Sequence, residues 1–313
     1  IYQLLKDRYR VVEDDSDFDY LIATPWFYVN REAFYDFLER APGHITVMYG
    51  CHEAIAPDFM LFDYYIGLDA VPGSDRTVKL PFLRHHLQEV HGGKAGLDVR
   101  ALLASKTGFC NFIYANRKSH PNRDAIFHKL SSVRFVNSLG PHLNNTPGDG
   151  HRSEDWYASS IRMKKPYKFS IAFENAWYPG YTSEKIVTSM LAGTIPIYWG
   201  NPDIGREFNS AAFINCHDFP TLDDAAAYVK KVDKDDGLWC EIMSRPWKTL
   251  EQEALFLEET ERETAKLYRI FDQSPEEARR KGDGTWIAYY QRFLKRGHRL
   301  RLAWRRLKNR LRH

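Results

Sequence analysis

Tyr167-Lys-Phe-Ser-Ile-Ala-Phe-Glu-Asn-Ala-Trp-Tyr-Pro-Gly-Tyr-Thr-Ser-Glu-Lys-Ile-Val-Thr-Ser-Met-Leu-Ala-Gly-Thr-Ile-Pro-Ile-Tyr-Trp-Gly-Asn201 reads as strand, loop, helix and strand in one pass. Phe169 to Phe173 is a short apolar run of strand type, and Glu174 to Pro179 interrupts it. Ser183 stands where it can cap a helix opening at Glu184, and Gly193 where it can end one. Thr194 to Trp199 is a second strand. Such a βαβ unit sets a parallel sheet and leaves the loops at the strands' carboxyl ends for chemistry. The loop and first helical turn here carry Glu174, Asn175, Tyr181, Glu184 and Lys185, more polar groups than packing between two buried strands requires.

Outward from this unit the same alternation recurs. Towards the N-terminus, Asp19–Thr24 reads as a strand and Arg31–Arg40 as a helix behind an Asn30 cap. His44–Tyr49 reads as a strand, followed by the loop Gly50-Cys51-His52-Glu53 and another strand at Leu61–Leu68. The polar stretch His91–Gly96, continued to Lys106, reads as a linker. Beyond it come a strand at Phe109–Ala115, a helix at Asn122–Leu130, a strand at Val133–Val136 and a Gly-, Pro- and Asn-rich loop over 140–151. After the quoted unit follow a strand at Ala212–Cys216, a helix at Thr221–Lys231 with a Thr-x-x-Asp capping box, and a long helix at Leu250–Phe271. The pattern predicts an α/β chain of two Rossmann-like, doubly wound domains, 1–104 and 105–288, with a cleft between them and a tail at 289–313. The chain opens on a helix signal at Ile1, and the strand that would begin the first domain is expected to precede it.

The 313 residues and 43% apolar content sustain one large domain or two ordinary ones. The net charge of +3 is unevenly spread: ten Lys or Arg and no acid lie in 289–313, so the first 288 residues are net negative. In that tail Leu300, Ala303, Trp304, Leu307 and Leu311 recur at helical spacing among arginines and lysines. A basic amphipathic helix of this kind suits an anionic membrane surface. Nothing else in the chain resembles a nucleic-acid module, so nucleic acid is not the expected partner. Cys51, Cys110, Cys216 and Cys240 lack metal-ligand or redox spacing and point to free thiols in a reducing compartment. With no signal-peptide pattern or transmembrane run read in the sequence, the expected location is cytoplasmic, peripheral on the inner face of the membrane.

A helix N-terminus offers unpaired N–H groups and a positive dipole end, which suits phosphate. Lys185 lies in the first turn of one predicted helix and Arg123 in that of another. Both starts fall on the carboxyl edge of one parallel sheet, so the two cations are expected to converge on a single diphosphate. No glycine-rich phosphate loop is present. Asp15-Ser16-Asp17 and Asp17-Phe18-Asp19 have the spacing of metal-bridging acid pairs, but they precede their strand, at the wrong edge of the sheet, and read as a solvated acidic loop. His85, His86 and His91 form no zinc motif. No metal and no cofactor is expected.

Phe173-Glu174-Asn175, then Tyr181-Thr182-Ser183-Glu184-Lys185, then Gly193-Thr194-Ile195-Pro196-Ile197-Tyr198-Trp199-Gly200 resemble the donor signature of the α1,3/4-fucosyltransferases (glycosyltransferase family 10), in the bacterial form. Phe109-Cys110-Asn111-Phe112 through Arg123 resembles that family's strand and helix-start arginine, and Leu61–Gly67 one of its strands. The chain departs from the pattern at Ala176, where Ser is usual, at Ser183, where Thr is usual, and around Glu53. The resemblance implies a GT-B fold and transfer of fucose from GDP-fucose with inversion and without an obligatory metal. It further implies an N-acetyllactosamine-type glycan acceptor and a Lewis-X-like product. It places the general base at Glu53 and gives Arg123 and Lys185 the diphosphate. Tyr181 would contact that diphosphate, Glu184 the fucose, and Asn175 would belong to the donor loop. A GT-B transferase using another GDP-sugar, and a non-catalytic membrane-anchored glycan- or nucleotide-binding protein, are the rival readings.

Overall fold

Nine short strands form two parallel sheets among the described residues, which in this computed structural model are 1–13, 17–51, 53–68, 73–80, 96–147, 155–282 and 284–296. Asp15 and Ser16, the three histidines at 85, 86 and 91, the loop beyond 147 and the tail from 297 lie outside them. The chain divides into two compact units, one of residues 1–79 with 263–313 and one of 80–262.

The first unit carries β1 (Tyr20–Ala23), β2 (Ile45–Tyr49), β3 (Tyr64–Gly67) and β4 (Thr77–Lys79), paired in that order and all parallel. The Asn30 side chain caps the helix Arg31–Arg40 by accepting from the N–H groups of Glu32 and Ala33. Behind the sheet Phe27, Phe37, Leu38, Met48, Phe62 and Tyr65 form a buried cluster. One carboxylate closes the unit. Asp63, fully buried, accepts from Thr46 N–H and Oγ1 at 2.8 Å each, from Arg280 N–H at 2.9 Å and from Lys281 N–H at 2.6 Å. The returning segment is thereby fastened to β2 and β3.

The second unit carries β5 (Gly108–Phe112), β6 (Val136–Ser138), β7 (Tyr167–Phe173), β8 (Ile195–Trp199) and β9 (Ile214–Asn215), all parallel, in the order β6-β5-β7-β8-β9. The strand order reverses between β5 and β7, and in open α/β sheets ligands bind outside the carboxyl ends of the strands at such a point. β7 is central and covered on both faces, so it reads as a near-continuous apolar run. Phe169, Ile171 and Phe173 enter one core with the helix Asn122–Val133, while Ala172 enters another with the helix Glu184–Leu191.

Several boundaries differ from expectation. The supposed linker contains a helix, Val99–Ala104, capped by Asp98, whose Val99, Leu102 and Leu103 pack on the main core of the second unit. Its apolar residues fall at i, i+3 and i+4, a signal masked by the polar flank before it. The division expected after residue 104 falls at 79/80, and residues from 263 onward return to the first unit instead of completing the second. β6 begins at Val136 because the preceding helix runs on to Val133. β9 is reduced to Ile214–Asn215 by tight turns over Ser210–Ala212 and Cys216–Asp218.

Candidate functional site

The loops leaving β5 and β7 bring the chemistry of the second unit to its switch point. Tyr114, just past β5, is buried, and its hydroxyl lies 3.0 Å from Ile171 O and 3.1 Å from Phe173 O, while Phe173 N–H donates to it at 2.8 Å. Its ring supports the Arg123 guanidinium, with the two centres 4.4 Å apart. Arg123 is fully buried in the first turn of its helix. Its Nη1 donates to Asn175 Oδ1 at 2.9 Å and its Nη2 to Asn116 O, while its Nε has no partner among the described residues. Asn175 also accepts His120 N–H on its backbone oxygen at 2.8 Å, so it ties the β5 loop to the β7 loop.

Glu174, one residue after β7, is fully buried and gathers the next helix start around itself. It accepts from Ser183 N–H at 2.8 Å, from Ser183 Oγ at 2.7 Å and from Lys185 Nζ at 3.0 Å. Ser183 does occupy the N-cap position of the helix Glu184–Leu191, but its hydroxyl is given to Glu174 and makes no cap bond. This corrects the expectation of a capping hydroxyl: a buried carboxylate is the stronger acceptor. Gly200, at φ +152°, permits the arrangement, since a Cβ there would collide with the Cβ and Cγ of Glu174.

Lys185 is thus held by an anion from within the fold. Its Nζ lies 3.0 Å from Glu174 and 3.8 Å from Glu184. Burial alone would lower its pKa, but Glu174 and Glu184 outweigh burial and hold it above the ordinary lysine value. For Glu184, burial opposes the charge, while Lys185, its own backbone N–H and Lys164 overcome it and depress its carboxyl. Tyr181 is buried, and its phenol acts electrostatically on both Arg123 and Lys185, as do Tyr114 and Glu174.

Around this cluster lies an aromatic wall. Trp199, at the end of β8, packs between His120 (ring centres 4.5 Å apart), Phe173 (5.9 Å) and His217 (5.8 Å). His217 Nε2 accepts Gly200 N–H at 3.1 Å, and burial lowers its pKa. Trp177 is exposed on the same loop.

Of the residues singled out in the sequence, Arg123, Asn175, Tyr181, Glu184 and Lys185 come together on the second unit. Glu53 belongs to the first. It lies in a tight turn after β2, where its N–H donates to Gly50 O and its carbonyl accepts Ile55 N–H, both at 2.9 Å. Burial, reinforced by Glu53, pushes the Cys51 thiol upward. Glu174, one of the polar loop residues noted in the sequence, fixes the loop to the helix start through Ser183 and Lys185. Tyr114, His120 and Lys164 were not singled out. Lys164 carries no local signal, because a lysine ending an amphipathic helix reads as a solvated charge. Among the described residues no three His, Cys, Asp or Glu side chains are grouped to hold a metal ion.

Residues 103–276 match the family described as glycosyltransferase family 10 (fucosyltransferase), C-terminal part. The α-(1,3)-fucosyltransferase FucT of Helicobacter pylori is 30% identical over 236 residues, covering 65% of this chain and 48% of that protein. The chain therefore spans about half the length of this curated relative. A crystal structure of α1,3-fucosyltransferase superposes with a TM-score of 0.65 at 25% identity, over 80% of this chain and 77% of that one. One of α1,3-fucosyltransferase with GDP gives 0.62 at 26%, over 80% and 76%. With two parallel α/β units, the chain falls in the GT-B class.

Proposed function

The chain belongs to glycosyltransferase family 10, the fucosyltransferases, and from that premise we propose that it transfers L-fucose from GDP-β-L-fucose to O3 of the GlcNAc in an N-acetyllactosamine-type glycan, with inversion. The observation that carries this reading is the group of buried Arg123 and Glu174 with partly buried Lys185 and Glu184 at the reversal point of the second sheet. Cations under a helix N-terminus suit a diphosphate, and a flanking carboxylate suits a sugar that gains positive charge.

In the proposed step Glu53 takes the proton of the acceptor hydroxyl as its oxygen attacks C1 of fucose. The bond from C1 to the β-phosphate oxygen breaks, and GDP leaves with the electron pair. The β-linked donor becomes an α-linked product. Arg123 and Lys185 stabilise the charge that grows on the diphosphate, and Glu184 faces the developing cation. Tyr181 contacts the diphosphate, and Asn175 holds the donor loop through Arg123. No metal enters this step. Positioned general-base catalysis contributes roughly a hundred- to ten-thousand-fold.

The test is donor and acceptor profiling of the chain and of Glu53→Gln. GDP release from GDP-fucose and not from GDP-mannose, with an O3-linked product on N-acetyllactosamine, is expected. Glu53→Gln loses transfer by at least about a hundredfold and binds GDP unchanged. Equal use of GDP-mannose would favour another GDP-sugar as donor, and near-normal turnover of the variant would remove Glu53 as base.

We also propose that residues 289–313 lie on an anionic membrane surface on the cytoplasmic side. The described start of this region supports it: the helical stretch 285–296 exposes Trp286, Tyr289 and Phe293 and carries Arg292, Lys295 and Arg296. Co-sedimentation with vesicles containing anionic lipid, and none with neutral vesicles, is the expected result; equal behaviour with both would sink it.

A further inference from the structure

Lys164 ends the helix Trp156–Lys164 and is buried, with 5% of its surface exposed. Its Nζ donates to Thr188 Oγ1 at 2.6 Å and to Ser189 Oγ at 3.3 Å, and no carboxylate pairs with it among the described residues. Those two hydroxyls lead back to the start of the next helix. Thr188 Oγ1 donates to Glu184 O at 2.9 Å, and Ser189 Oγ donates to Lys185 O at 2.7 Å. An ammonium group held by neutral hydroxyls in a protein interior is costly, and an apolar side chain of similar length would pack there without that cost. Packing does not explain its presence.

We propose that Lys164 is a positioning residue of this same site: through Thr188 and Ser189 it keeps a third positive charge beneath the Glu184–Lys185 turn, and that charge tunes the turn to a diphosphate. The inference rests on the donor reading above. With Lys164 protonated, three cations (Arg123, Lys185, Lys164) face two carboxylates (Glu174, Glu184); with Lys164 neutral, the group has no net charge to offer an anion.

Burial brings the Lys164 pKa down to about 7, against partial support from Glu184 and Glu174 and with Lys185 opposing. Beyond Ser189 the network stays neutral: its Oγ lies 3.1 Å from Ser170 Oγ on β7, which donates to Asn111 Oδ1 on β5 at 2.9 Å. At the far end of the Glu184–Leu191 helix Lys106 donates to Ala192 O at 3.3 Å and to Lys165 O at 2.6 Å, and burial lowers it to about 8. The titration of Lys164 therefore falls near neutral pH. A bound anion favours its charged form, so donor binding and proton binding are reciprocally coupled.

The experiment is calorimetric titration of the whole chain with GDP at pH 8, in two buffers of different ionisation enthalpy. The terminal phosphate, with a second pKa of about 6, has no proton left to lose there. The wild type is expected to take up about half a proton on binding, and Lys164→Met close to none. Lys106→Met keeps the uptake. The Lys164→Met variant binds GDP about tenfold more weakly than wild type at pH 6.5 and within about twofold of it at pH 9. GDP binding by the wild type without proton uptake overturns the inference and leaves the donor reading intact, with no variant needed. Uptake persisting in Lys164→Met overturns it too. No GDP binding at any pH overturns both readings.

Discussion

Glu174 has no exposed surface and three donors, two of them from Ser183 and one from Lys185. Removing it strands a largely enclosed ammonium whose remaining carboxylate, that of Glu184, is 3.8 Å away. Breaking a buried ion pair from one side costs about 3–5 kcal/mol. Glu174→Ala is therefore expected to lower the unfolding free energy by about that amount in urea titrations. A loss under about 1 kcal/mol would mean that Lys185 swings fully to Glu184 or to water. The sequence exposes this residue only in part. Glu174, Asn175, Glu184 and Lys185 stand out because four polar side chains between two apolar strands have no packing role. That Ser183 serves Glu174, and that Arg123 lies over Tyr114 with Asn175 on its edge, are contacts between residues nine to 52 positions apart. Nothing local encodes them. Lys164 is the extreme case, since only the hydroxyls 24 and 25 residues further on identify its environment.

At the level of elements, legibility follows the strength of the periodic signal. β2, β7 and β8 are short apolar runs and stand close to where the sequence puts them. The long helix Leu250–Phe271 has the expected bounds. Gly193 ends its helix as expected, in a Schellman arrangement: at φ +65° its N–H donates to Met190 O at 2.9 Å, and Thr194 N–H donates to Ser189 O at 3.1 Å. Thr221 caps the helix Leu222–Lys234 through Asp224 N–H, though its hydroxyl and the Asp224 carboxylate bond each other at 2.6 Å, so only half of the expected reciprocal box forms. Where the signal is two or three residues long, as in β6 and β9, neighbouring turns decide the boundary. The sheet order that creates the switch point is legible only as far as the alternation of strands and helices makes the sheet parallel.

On the scale of the whole molecule, the first unit is made of two distant segments joined at Asp63. Burial opposes its charge, but the N–H groups of Thr46, Lys281 and Arg280 and the Thr46 hydroxyl outweigh burial and hold its carboxyl below the usual aspartate value. A depressed folded-state pKa gives stability that is present above the unfolded value, about 3.9, and is lost as pH falls through the folded one. Protection of the Thr46, Arg280 and Lys281 amides against hydrogen exchange, corrected for intrinsic rate, should thus hold at pH 6 and fall below about pH 4. In Asp63→Asn it should be low at both. Equal protection in the variant at pH 6 would mean that the carboxylate does not fasten the returning segment.

The chain leaves the first unit after Lys79 and re-enters it at Glu263, and these two residues touch, Lys79 N–H donating to Glu263 Oε2 at 3.0 Å. The second unit is accordingly a cassette set into a host, with its entry and exit side by side. A cassette of that kind can be lifted out at the level of the gene. A short turn would suffice to rejoin the host across the gap, from the end of β4 into the helix Leu250–Phe271, which the seam divides between Arg262 and Glu263.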